Sequence, residues 1–118
     1  MRLRQSACAE AGSANAESIM LVHAVYFWLK PELSAEQRAD FRRGVESLGG
    51  IKGVESVYIG APAATERRPV IDTSYSVSLV VLCKNVAAHD AYQVDPIHLK
   101  FVERYKTFWT RVQIYDSE

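Results

Sequence analysis

Nothing constrains this chain more than a nine-residue run, Leu21 to Leu29, that is apolar on both sides of an extended backbone. Side chains alternate across a strand. Leu21, His23, Val25, Phe27 and Leu29 therefore share one face, and Val22, Ala24, Tyr26 and Trp28 share the other. A second run, Tyr75 to Cys83, repeats the pattern with Tyr75, Val77, Leu79, Val81 and Cys83 opposite Ser76, Ser78, Val80 and Leu82. Strands of this kind need cover on both faces. Helices supply it on one side, but 118 residues, 48% of them hydrophobic, leave room for a single core. The second face calls for a partner, and for a chain this short a homodimer is expected.

The remaining segments fill in the order of elements. Lys30 to Leu33 reads as a turn, and Ser34 with Gln37 three residues on is the capping-box signature of a helix start. Phe41, Val45 and Leu48 form the buried stripe of that helix, Arg38, Arg42 and Glu46 face water, and Gly49–Gly50 ends it. Val54 to Ile59 reads as a second strand. Residues 61–74, with Pro62 and Pro69, form a long loop that serves as a lid, as a subunit-contacting arm or as surface slack. Asn85 caps a short helix carrying Val86, Ala88, Ala91 and Tyr92. Asp95 and Pro96 are N-cap and first residue of another, which buries Ile97, Phe101, Val102 and Tyr105. Thr110 to Tyr115 alternates as a half-buried strand with Val112 and Ile114 inward. This order is the split βαβ pattern of an α+β, ferredoxin-like fold: one antiparallel sheet with its helices on one face. The bare face, with Tyr26, Trp28, Val80 and Leu82, is expected to meet the same sheet of a second subunit in a dimeric α+β barrel.

Charge and composition exclude several function classes. Fourteen basic and fourteen acidic residues cancel, and the doublets Arg42–Arg43 and Arg67–Arg68 read as solvated surface, so no nucleic acid partner is expected. Residues 1–19 open with Arg2 and Arg4 but lack an apolar stretch, which excludes an export signal and predicts a disordered tail before a domain spanning 20–118. The Ile19–Leu29 run is too short for a membrane span. Cys8 and Cys83 read as reduced thiols in a cytoplasmic protein. His23, His89 and His98 show no close ligand spacing such as HxH or HExxH, so neither a metal nor another cofactor is expected, and His89 reads as surface.

Three segments, HAVYFWLKPELSAEQ (23–37), GVESVYIG (53–60) and AYQVDPIHLKFVERYKTFW (91–109), resemble the stress-responsive A/B barrel (Dabb) family over nearly all of residues 20–116. The resemblance implies a homodimeric ferredoxin-like barrel. Its members range from stress-associated plant proteins to a polyketide cyclase in which a Tyr and His pair promotes an aldol condensation. Tyr92 and His98 of the Tyr-x3-Pro-x-His run match that pair, and His23 matches a histidine of the cyclase pocket. Val77 and Val45 stand where the cyclase has pocket histidine and tyrosine, and Asp95 replaces the first histidine of its HPxH. The polyketide substrate therefore does not carry over.

The residues themselves support two readings of the same group. His98, third in a helix capped by Asp95, sits among unpaired amides that disfavour a positive charge, so a neutral imidazole is expected. Neutral imidazole accepts a proton from a carbon acid, and Tyr92 upstream can donate to the resulting enolate oxygen. In the first reading His98 and Tyr92 are catalytic in a pocket lined by His23, Val25, Phe27 and Val77, which takes a small apolar or keto-containing ligand. In the second, Tyr92 and His98 are packing, His23 is a satisfied core histidine, and the protein is a non-catalytic stress-response dimer or assembly module.

Overall fold

The computed structural model describes residues 20–118; the expected tail, with Cys8, lies outside the described residues. β1 (Leu21–Leu29) buries every odd position and leaves the even ones half-buried. It runs antiparallel to β3 (Val77–Cys83) on one side and to β4 (Trp109–Ser117) on the other, and β3 also pairs with β2 (Val54–Gly60). The sheet order is β2-β3-β1-β4. The two strands that are apolar on both faces are thus the two central ones, as their pattern requires, and the more polar β2 and β4 take the edges.

The helices lie on the face of the odd β1 residues. α1 (Ala35–Ser47) starts where the capping box predicts: Ser34 Oγ accepts from the Gln37 amide at 3.1 Å and Gln37 Oε1 accepts from the Ser34 amide at 2.8 Å. The helix does not stop at Gly49 but tightens into a 3-10 turn, Leu48–Gly50, which buries Leu48. α2 (Val86–Val94) and α3 (Pro96–Tyr105) are capped by Asn85 and Asp95 respectively. Phe41 and Val45 of α1 reach the sheet alongside Phe101 and Tyr105 of α3. No helix among the described residues is long and apolar enough to cross a membrane.

Two expected burial patterns fail. Ile97 is exposed and lines an outer groove between α1 and α3 instead of the core. Val112 and Ile114 do point to the helix side, across from Phe27 and Val25, but remain 39% and 43% exposed because β4 is an edge strand. The inner half of β4 therefore stays open beside the cavity described below.

α1 and α3 meet closely at Gly44, where a Cβ would come within 2.2 Å of the Tyr105 ring. The Tyr105 hydroxyl crosses to α1 and donates to the Asp40 carboxylate (3.0 Å) and carbonyl (3.1 Å), while Arg104 reaches the same carboxylate at 2.9 Å. The Tyr105 hydrogen bond, with help from Arg104, holds the Asp40 carboxyl below its ordinary range. A carboxyl lowered in the folded state stabilises above its unfolded pKa, about 3.9, and loses that contribution as pH falls through the folded value. Asp40→Asn should accordingly lower the melting temperature at neutral pH. In a pH series of thermal melts, the gap between variant and parent should close on acidification below that range.

Candidate functional site

The site forms where β1, β4 and the two short helices converge. His23 is the register partner of Asp116 on β4, and its Nδ1 lies 2.6 Å from Asp116 Oδ1. From above, α2 contributes His89 and Tyr92, three residues apart and so on one helical stripe. His98 enters from the first turn of α3, whose start is set by the Asp95 carboxylate accepting from the Ile97 amide at 2.8 Å. The Tyr92 ring stands between the histidines, with centroids 4.9 Å from His98 and 5.6 Å from His23.

Beneath these groups is a cavity of about 150 Å³. Val25 and Phe27 of β1, Leu79 of β3, Val112 and Ile114 of β4, and Phe101 and Val102 of α3 form its apolar walls; His23, Tyr92, Gln93 and His98 supply its polar atoms. Of the residues that the sequence places in a pocket, His23, Val25, Phe27, Tyr92 and His98 line this one. Val77 does not: it pairs with Phe27 at the end of the face where the Phe27 and Phe41 rings pack, and Leu79, two residues on, takes its place.

Burial sets the protonation states. It holds His98 and His23 below the ordinary imidazole range, with Asp116 pulling His23 the other way, and it pushes the Tyr92 phenol well above the ordinary tyrosine range. At neutral pH the cavity therefore presents a neutral His98 and a protonated Tyr92. His23 has its partner in Asp116. The Nδ1 of His98 is buried with no partner in hydrogen-bond geometry, alone in that respect among the buried side-chain polar atoms of the described residues; the Gln93 backbone lies near the ring and pulls its pKa back up without outweighing burial. Leaving such an atom unpaired costs about 1–3 kcal/mol.

His89 contradicts its surface assignment. It is 9% exposed, with its ring centroid 4.8 Å from that of His23. The i, i+3 relation to Tyr92 was the available signal. Asp116 was missed because the alternation Val112, Ile114 was not carried one step further along β4.

A four-stranded antiparallel sheet with helices on one face and a cavity between the layers defines a ferredoxin-like α+β protein. The family described as Stress responsive A/B Barrel Domain, Dabb, matches residues 21–118, and the chain belongs to it. Among solved structures, a Dabb family protein with a ferredoxin-like fold from Mesorhizobium loti is 24% identical, with a TM-score of 0.69 over 84% of this chain and 95% of that one. A dimeric ferredoxin-like protein of unknown function from Thermobifida fusca superimposes with a TM-score of 0.70 at 13% identity, covering 87% and 93%. A hydroxynitrile lyase from Passiflora edulis gives 0.69 at 15% identity, covering 85% and 93%. No curated protein matches the chain.

Proposed function

We propose that this protein is a homodimeric, cofactor-independent enzyme of cyclase- or lyase-like type that removes a proton beside a carbonyl of a small substrate. The observation that carries this reading is the unpartnered, buried Nδ1 of His98 next to the Tyr92 ring on an apolar cavity. His98, neutral in its buried site, takes the α-proton; the Tyr92 hydroxyl donates a hydrogen bond to the enolate oxygen as charge develops there. His23 closes the polar end. At about 150 Å³ the cavity is smaller than the roughly 300–1,000 Å³ of drug-sized sites, which favours a short keto acid or keto ester. The fold it shares with the hydroxynitrile lyase supports the scaffold's suitability for acid–base work.

Exchange of the α-protons of a short β-keto ester in D2O, followed by NMR, tests this. His98→Ala should slow the catalysed exchange by about 10²–10⁴-fold, the range that a general base supplies. Tyr92→Phe should slow it by about 10²–10³-fold, as loss of an oxyanion donor does. Melting temperatures close to the parent's would show both variants folded. Exchange no faster than buffer with the parent protein favours the second reading, a non-catalytic dimer. That reading is supported by the aromatic face of Tyr26, Tyr75 and Tyr115, which no helix of the protomer covers.

A further inference from the structure

We infer that His23, His89 and Asp116 form a binding site for one divalent transition-metal ion of zinc's class, reached from solvent past Asp116. The three residues come from three elements that the fold holds in place: the central strand β1, helix α2 and the edge strand β4. One ligand atom from each lies within 4.8 Å of the other two. His23 Nδ1 is 2.6 Å from one Asp116 oxygen and His89 Nε2 is 3.9 Å from the other. Ligands about 2.0–2.1 Å from a tetrahedral zinc ion stand roughly 3.3 Å apart. The His23–Asp116 pair has to open slightly and the widest pair of ligand atoms, up to 4.8 Å apart, has to close by about 1.5 Å, within the reach of side-chain rotation.

The chemistry of the donors selects the ion. Two imidazoles and one carboxylate suit zinc, cobalt or nickel and are poor for magnesium or calcium, which take oxygen sets. His89 also has the outer partner that metal-bound histidines use: its Nδ1 faces the Asp90 carboxylate at 3.4 Å, while Nε2 points toward Asp116 beside the Gln93 amide at 3.4 Å, which an ion has to displace. The two imidazole rings pack at 4.8 Å with the Asp116 carboxylate facing both, which places two nitrogen donors and one oxygen donor around one point. His23 is buried in the protomer whereas the Asp116 side chain is 41% exposed, so an ion enters without unfolding the sheet. Spacing along the chain hides this site, because His89 lies 66 positions after His23 and Asp116 another 27 further on.

The site stands on its own geometry and does not depend on His98 being a base. Its test is calorimetric titration of the chelator-treated full-length protein with Zn²⁺, and with Co²⁺ read by its visible absorption. One ion per protomer should bind, the His23 ring hydrogen passing from Nδ1 to Nε2 as Nδ1 turns to the metal. His89→Gln and Asp116→Asn should each weaken Zn²⁺ binding more than about 100-fold, beyond what loss of an outer partner costs. Their melting temperatures without metal should stay near the parent's. His98→Ala, which removes the proposed base, should leave the affinity for Zn²⁺ within about threefold of the parent's. No stoichiometric binding, or binding that survives both His89→Gln and Asp116→Asn, would overturn the assignment. Loss of α-proton exchange with intact Zn²⁺ binding would leave it standing.

Discussion

Trp28→Glu is expected to turn a dimer into a monomer at micromolar concentration. Trp28 lies on the even face of β1, away from the helices, with its Nε1–H donating to Ser74 Oγ at 3.0 Å and the Arg111 guanidinium 4.1 Å above its ring. Tyr26 lies on the same face, its ring 5.0 Å from Tyr75 and 6.3 Å from Tyr115. Together with Asp72 and Gln113 these residues shape a dish of about 300 Å³ on the bare side of the sheet. Such a surface, rich in tyrosine, tryptophan and arginine, has the make-up of an interface centre, where one truncated anchor costs about 2–4 kcal/mol. A carboxylate in its place has to be desolvated at the seam, a cost of several kcal/mol that pairing with Arg111 only partly offsets. A combined loss of at least about 4 kcal/mol weakens association roughly a thousandfold. Sedimentation of parent and variant at matched concentrations reads this directly. A Trp28→Glu chain that sediments as the parent does would place any dimer contact elsewhere.

That face was legible because alternation is a strong signal when both of its phases are apolar. Val22, Ala24, Tyr26 and Trp28 could not all be solvent-facing, and a chain with one core has nothing else to put against them. Helix starts were equally legible: Ser34, Asn85 and Asp95 each carry a side-chain oxygen that satisfies an amide their helix leaves free. Element ends were less so. β3 begins at Val77 and not at Tyr75, because the chain bends at Ser76, whose amide still reaches the Phe27 carbonyl at 2.7 Å. β4 runs on to Ser117, and its pattern alone does not tell an edge strand from a covered one, which is why Val112 and Ile114 came out half open.

The candidate site divides along the same line. His23, Tyr92 and His98 were found because two short local patterns carry them, a strand histidine and a Tyr-x3-Pro-x-His run. Their convergence on one cavity follows from helices α2 and α3 packing over β1. His89 and Asp116 were not found. The first looked like the wet side of a helix too short for its stripe to be read, and the second joins His23 only through the register of β1 against β4, 93 residues away. Pairing across a sheet is a property of topology, and no local window contains it.

Phe41→Ala should cost the domain a large share of its stability. The side chain is 0% exposed, and its ring is the hub of the aromatic core: Phe27 lies 5.1 Å away, Tyr105 5.6 Å, Phe101 5.9 Å, and Phe108 and Trp109 6.3 Å each. Replacing a buried phenylalanine by alanine costs about 3–5 kcal/mol, from lost transfer energy and from the hole left behind. Domains of this size hold only about 5–15 kcal/mol in total. At roughly 4–8 °C per kcal/mol, the melting temperature should fall by more than about 12 °C in a thermal scan followed by circular dichroism. Phe41→Leu, which keeps much of the volume, should lose far less. The two variants also separate stability from the site. Phe27, Phe101 and Trp109 touch Phe41 on one side and line the cavity on the other, so the hole left by alanine opens toward the proposed substrate volume. Phe41→Ala assayed below its melting range should therefore accept a bulkier keto ester than the parent does, whereas Phe41→Leu should keep the parent's preference. A Phe41→Ala chain that melts within a few degrees of the parent would mean that α1 is not anchored to the sheet through this ring.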